Sequence, residues 1–318
     1  MSLNHSNPKK KAFNQLALCN SKQPSAIVNS NSLAIAFAQV FGPVDHHFVA
    51  DGNIHRLDDP AGRTGNQACW YVYYPQPCSY AVFGSWRRGQ NYYTDLRQSD
   101  FKNTKPFKKL LIEQSRAHSA DTAARNELAA LAAQSLWANA KPASPEHAYL
   151  AKKHLPPYDL RTINNQLLIP LYRDDKLVNL QRIFPCGAKR YLKHGQAKGC
   201  YYRFGEITDA PKMMLCEGWA TGATLHQWYG MPVFCAMSVV NLMPVAKAIT
   251  TRYPKSELII CPDDDRKTTG NPGMYYAQQV QQVVGGDFFK PSWPADAPLD
   301  LTDFSDLYLW LLQQHGGV

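Results

Sequence analysis

The chain reads as an α/β protein, α+β overall, with a Rossmann-like parallel sheet in its last third. In front of that sheet the sequence predicts a small mixed α/β domain, a helical connector and a β-rich segment. Three observations carry this reading. Short apolar runs, Met213-Met214-Leu215-Cys216 and Leu258-Ile259-Ile260-Cys261, are separated by helix-length segments, the pattern of buried parallel strands. Each run ends in acid: Glu217 follows the first and Asp263-Asp264-Asp265 closely follows the second. The charge is also uneven. Residues 1–120 hold 14 basic and 7 acidic residues, residues 121–210 hold 13 and 8, and residues 211–318 hold 7 and 10. An acidic module behind a basic front half suits a metal-dependent enzyme that handles a phosphate backbone.

Taken in order, residues 1–30 are polar, include Lys9-Lys10-Lys11 and predict a flexible basic tail. Residues 31–104 predict the small mixed domain. The stretch Phe48 to Arg56 predicts a hairpin turning at Asp51-Gly52, and Trp70–Tyr74 and Tyr80–Gly84 predict further strands. Aromatic residues, Trp86 foremost, interleave with Arg56, Arg63, Arg87 and Arg88. That mixture suits single-stranded nucleic acid, where bases stack and cations follow phosphates; filling of a small β core is the competing reading for the rings. Residues 105–160 predict the helical connector. Leu110, Leu111, Leu128, Leu131, Ala132 and Leu136 recur at helical spacing, and Pro142 and Pro145 break the pattern before a short helix that reaches His154. Residues 161–210 predict the β-rich segment, through runs such as Leu167–Leu171 and Leu177–Arg182. Residues 211–318 predict the parallel-sheet module, closed by an amphipathic helix over Leu307–Leu312.

The acids point to a hard cation. In an open α/β sheet the carboxyl ends of the strands form the functional edge. Several carboxylates gathered there repel one another unless something positive lies between them, and magnesium is the usual ion where phosphates are handled. In extended chain, residues two apart point to the same side, so Asp263 and Asp265 can share one metal site while Asp264 points away. An exposed acidic turn is the bland alternative for three aspartates in a row.

The order strand, Glu217-Gly218, helix, strand, helix, strand, Asp263-Asp264-Asp265 resembles the Toprim domain, over about Met213 to Leu307. The wording is similar to that of primase-like proteins of phages, plasmids and other mobile elements: Glu217-Gly218-Trp219-Ala220-Thr221-Gly222, then Gly270-Asn271-Pro272-Gly273, then Asp303-Phe304-Ser305-Asp306-Leu307. Ser305 stands where those proteins carry asparagine. Upstream, Leu180-Gln181-Arg182 and Lys189-Arg190-Tyr191-Leu192 resemble the segment that precedes Toprim in DnaG-type primases. The resemblance implies a DNA primase, a nucleotidyltransferase making short primers on single-stranded DNA. It implies Glu217, Asp263 and Asp265 as catalytic residues, and the same three with Asp303 and Asp306 as metal ligands. It implies Arg182, Lys189, Arg190 and Tyr191 as holders of triphosphate or template, facing the metal. Magnesium is the implied cofactor, manganese its substitute. Nucleoside triphosphates, a single-stranded template and a separate replicative helicase are the implied partners. Glu217 is either ligand or general base and acid. Gly218 and Gly222 let backbone and helix come close to the site.

Other signals narrow the field. The eight cysteines form no Cys-x-x-Cys, so no zinc is expected and a reducing, cytoplasmic setting is. There is no apolar run of membrane-spanning length, no Walker A loop and no Gly-x-Ser-x-Gly elbow. A Toprim-type nuclease and a noncatalytic single-strand-binding replication accessory protein remain the alternatives.

Overall fold

The computed structural model describes residues 30–74, 80–87, 90–95, 105–208 and 210–316. Arg88 and nearly all of the predicted basic tail lie outside these residues. The chain divides into two compact units, residues 1–116 and 117–318.

In the first unit, α1 (Ser30–Phe41) lies on one face of a four-stranded antiparallel sheet. The strands are β1 (Ile54–Leu57), β2 (Cys69–Tyr74), β3 (Tyr80–Ser85) and β4 (Gln90–Asp95), in that spatial order. Period-two alternation sends Cys69, Tyr71 and Tyr73 inward, where they meet Leu33, Phe37 and Phe41 of the helix. The hairpin expected over Phe48 to Arg56 does not form. Residues 48–50 are in no strand, and β1 pairs with β2 instead. Phe48 is buried against Phe37 and Tyr71, and the Val49 N–H donates to the Tyr71 hydroxyl at 3.0 Å. Burial of that ring and a side-chain acceptor outweigh the local turn signal of Asp51-Gly52.

The long helix α2 (Lys105–Asn139) brings the chain into the second unit. Its end packs Ala133, Leu136 and Trp137 on Leu168 and Leu180. Those leucines belong to a five-stranded antiparallel sheet of β5 (Lys141–Pro142), β6 (Arg161–Ile163), β7 (Gln166–Arg173), β8 (Lys176–Ile183) and β9 (Lys189–Tyr191). The short helix α3 (Ala148–Lys153) is inserted between β5 and β6. The other face of this sheet, with Leu167, Ile169, Leu171 and Ile183, shares a core with the module that follows.

That module is a mixed sheet in the order β10-β12-β11-β13-β14, built from β10 (Tyr202–Phe204), β11 (Lys212–Cys216), β12 (Val233–Cys235), β13 (Glu257–Cys261) and β14 (Asp287–Phe288). Four strands run parallel and β10 is antiparallel at one edge. Helices α4 (Trp219–Tyr229), α5 (Leu242–Arg252) and α6 (Pro272–Val284) connect the parallel strands, and α7 (Phe304–Gln314) follows. The chain passes from β11 to β12 on one side and then to β13 on the other. The switch point of the sheet therefore lies between β11 and β13, where Glu217 and Asp263 emerge. Among the described residues, no helix is long and apolar enough to cross a membrane.

Gly222 lets α4 lie against this sheet. A Cβ there would collide with the Cys235 thiol and stand 3.3 Å from Cys216 Sγ and 3.1 Å from the Phe204 ring. These neighbours are fully buried core groups with nowhere to move. Gly222→Ala is therefore expected to destabilise the protein by about 1–3 kcal/mol, read as a fall in Tm against the parent protein.

Candidate active site

The site is built where β11 and β13 end. Cys216 pairs with Cys261 in parallel register, so Glu217 and Pro262-Asp263 leave the sheet side by side. Glu217 is half-buried, and its pKa is pushed up to about 6, by desolvation first and then by Asp265. A hydrogen bond from the Val239 backbone and the nearby Lys189 oppose that rise. Asp263 lies well above the ordinary carboxylate range, through desolvation and then repulsion by Asp303, Glu217, Asp265 and Asp306. Its Oδ1 is shut off from solvent with no hydrogen-bond partner.

The other acids have local partners. Asp265 accepts from the Gly273 N–H at 3.0 Å, at the start of α6. Gly273 has no room for a side chain, because a Cβ would strike the Asp263 carbonyl oxygen. Asp264 is turned inward, accepting from Asn271 Nδ2 at 2.7 Å, with Lys290 Nζ 3.9 Å from its other oxygen. Asn271, held in the left-handed region at φ 40°, also accepts from the Asp265 N–H through its side-chain oxygen.

Asp303 and Asp306 form the mouth of α7. Asp303 accepts from the Asp306 N–H at 2.8 Å as N-cap, and its other oxygen accepts from the Thr221 hydroxyl at 3.0 Å. Asp306 accepts from the Thr302 N–H at 3.1 Å and from Lys153 Nζ at 3.0 Å. Desolvation and then Asp306 raise the pKa of Asp303. Ser305 is buried with its hydroxyl unpartnered, so it faces the core. The two acidic segments are tied together: the Asp264 N–H donates to the Thr302 carbonyl at 2.7 Å, and Arg266 donates to the Pro298 carbonyl at 2.6 Å while its guanidinium lies 4.3 Å from the Trp293 ring centroid.

The four residues of β8 and β9 expected to meet phosphate are divided between two faces. Directly paired residues share a face, and Arg182 pairs with both Arg190 and Leu168, the leucine that packs toward α2. Lys189 and Tyr191 alternate with Arg190 and turn to the acids. Desolvation and then Lys153 lower the pKa of Lys189, while Asp303, Glu217 and Asp263 raise it. The residue remains exposed, so this is crowding at a groove wall rather than in an interior. The Tyr191 hydroxyl donates to the Met237 carbonyl at 3.0 Å, and the Met237 N–H donates to the Glu217 carbonyl at 2.7 Å. Met237 itself stands at φ 63°, a strained position for a non-glycine residue.

Sequence reasoning did not single out Lys153 or Met237, and it quoted Asn271 only as part of a motif, without its role. Lys153 is 153 positions from the acid it meets, so no local pattern could have signalled it. Of the residues expected to touch nucleic acid, Arg56, Arg63, Trp86 and Arg87 lie in the first unit and are exposed.

Among the described residues, no group of three or more His, Cys, Asp or Glu side chains is already set to hold a metal ion. The donor set nonetheless fits a hard cation: carboxylate oxygens only, with one unpartnered oxygen on Asp263 and repulsion that positive charge would relieve.

Beside this geometry of a parallel sheet with acids at its switch point stands a family match: residues 212–284 match the Toprim domain. Over 281 residues the chain is 30% identical to DNA primase TraC of Escherichia coli, covering 81% of this chain and 25% of that protein. A second Escherichia coli protein named DNA primase TraC is 33% identical over 141 residues, 42% of this chain and 10% of its own length. The chain thus spans a quarter or less of these curated relatives. Among solved structures, that of the DnaG catalytic core is a looser likeness, with a TM-score of 0.36 at 12% identity over 61% of this chain and 74% of that one.

The raised pKa of Glu217 has a thermodynamic counterpart. Between the ordinary value of 4.5 and about 6, the unfolded chain releases this proton more readily than the folded one. Folding stability therefore falls across that window, by at most about 2 kcal/mol, and stays lower above it. Without divalent cations, Glu217→Gln is expected to melt above the parent protein at pH 7 and to lose that advantage at pH 4. Added magnesium should narrow the gap at pH 7. Melting curves from pH 4 to 8 check both statements.

Proposed function

We propose that the chain is the catalytic core of a DNA primase, extending short primers on single-stranded DNA from nucleoside triphosphates. The observation that carries the proposal is the crevice in which Asp263, with its unpartnered oxygen, and Glu217 face Lys189. The similarity of most of the chain to a protein named DNA primase TraC supports it.

In this reading Glu217, Asp263 and Asp265 hold one or two magnesium ions, with manganese as a substitute, and Asp303 or Asp306 completes the set. When bound, the cations neutralise triphosphate charge and favour ionisation of the attacking hydroxyl. The primer 3′-oxygen forms a bond to the α-phosphorus, the bond from that phosphorus to the bridging oxygen breaks, and pyrophosphate leaves. With its pKa near neutrality, Glu217 is suited to take the hydroxyl proton, and serves otherwise as a ligand. Lys189 and Lys153 line the side of the crevice where triphosphate oxygens would lie, and their ammonium groups oppose its charge, while Tyr191, its hydroxyl bonded to Met237, forms the wall beside them. Arg182 and Arg190, on the other face of their sheet, are left for contacts with the template backbone. A separate helicase supplies the single strand.

Asp263→Ala is expected to abolish primer synthesis, measured with labelled nucleotides on single-stranded DNA with magnesium or manganese, while DNA binding survives. Equal synthesis by parent and variant would overturn the assignment of Asp263. Shortening of the template without nucleotides would move the assignment to a nuclease, and retained DNA binding with neither activity would move it to an accessory protein.

A further inference from the structure

We infer that the outer face of the first unit's sheet is a base-stacking platform for single-stranded DNA. The inference deepens the primase reading, on which it rests for the kind of strand held; its geometry is independent of the acidic crevice. The two faces of β2 differ in chemistry. Cys69, Tyr71 and Tyr73 are buried under α1, and alternation then sends Trp70 to the opposite face. The ladder sets Arg56 of β1 on one side of Trp70 and Gly84 of β3 on the other. Trp86 leaves the end of β3, and its backbone N–H donates to the Ala68 carbonyl at 2.9 Å. That bond brings its indole beside Trp70, with ring centroids 5.6 Å apart and planes inclined by 34°. The Arg56 guanidinium carbon lies 5.7 Å from the Trp86 ring centroid.

Trp86 remains 48% exposed, so the core does not account for its position. Leaving half an indole in water forgoes a large burial gain. The charged neighbours are also distinctive. Arg87 Nη1 lies against Gly62, in the loop that carries Arg63. The Asp58 carboxylate of that loop is turned to its own backbone, accepting from the N–H groups of Gln67 and Gly65. Among the described residues, no ion pair engages Arg56, Arg63 or Arg87. Two tilted indoles beside the Arg56 guanidinium, with Arg63 and Arg87 exposed nearby in the chain, match a strand that offers flat rings and phosphates together. A duplex hides the faces of its bases inside its own stack, whereas a single strand presents them.

Binding of the full chain to fluorescein-labelled oligodeoxythymidine, without metal or nucleotide, tests the inference by anisotropy. Trp86→Ala is expected to weaken binding roughly tenfold, and Trp86→Phe to retain most of the affinity. Arg56→Ala should weaken binding and flatten its dependence on salt. Each variant should melt near the parent protein, which separates a lost platform from a lost fold. If Trp86→Ala and Arg56→Ala bind as tightly as the parent, or if the parent binds duplex as well as single strand, the platform is overturned. Tighter binding to oligouridine would overturn the choice of DNA. Weakened binding by Trp86→Ala in a protein that makes no primers would sustain the platform and remove the primase reading.

Discussion

Repulsion between carboxylates at one edge of a parallel sheet governs the second unit. Five acids come from three chain segments, and the fold deals with them unequally. Asp303 and Asp306 are quieted by a helix cap, a hydroxyl and Lys153. Asp265 has the N–H of Gly273. Glu217 and Asp263 are left with fewer partners, and desolvation with carboxylate neighbours raises the pKa of both. Residual repulsion of this kind is a store of binding free energy for whatever cation enters.

Placing those acids requires a rigid base. The thiols of Cys216, Cys235 and Cys261 lie at the ends of three adjacent strands, all fully buried, with Cys216 Sγ 3.7 Å from Cys235 Sγ. They are small apolar groups on which α4 can settle, and Gly222 removes the one side chain that would prevent it. Arg266 acts at longer range. Its stacking on Trp293 and its bonds to Pro298 and Leu301 hold the segment that delivers Asp303 beside the segment that delivers Asp263. The strained backbone of Met237 links Glu217 to Tyr191 in the same way.

Much of this was legible in the sequence because it is encoded locally. Apolar runs that end in acid give β11 and β13 and place Glu217 and Asp263 at their ends. The inward turn of Asp264 follows from the two-residue period of extended chain, although its partner Asn271 is visible only in three dimensions. The contribution of α3 was hidden, since Lys153 reaches Asp306 only through packing of distant segments. The division of Arg182 and Arg190 from Lys189 and Tyr191 was equally hidden, because it depends on strand register rather than on composition. In the first unit, Asp51-Gly52 looked like a hairpin turn, yet Phe48 gained more by joining the aromatic cluster under α1 than by pairing in a ladder.

The strands of the parallel sheet also have an opposite end. There Lys212 of β11 meets Glu257 of β13 at 3.1 Å and Asp287 of β14 at 4.0 Å, all in partly exposed surface pairs. Such pairs contribute little to stability and make no demand on chemistry. Five residues of β11 thus run from an exposed surface lysine to the fully buried Cys216 against which α4 packs. Along one strand the demands on sequence therefore form a gradient: the amino ends face solvent, while the carboxyl ends carry the acids of the crevice.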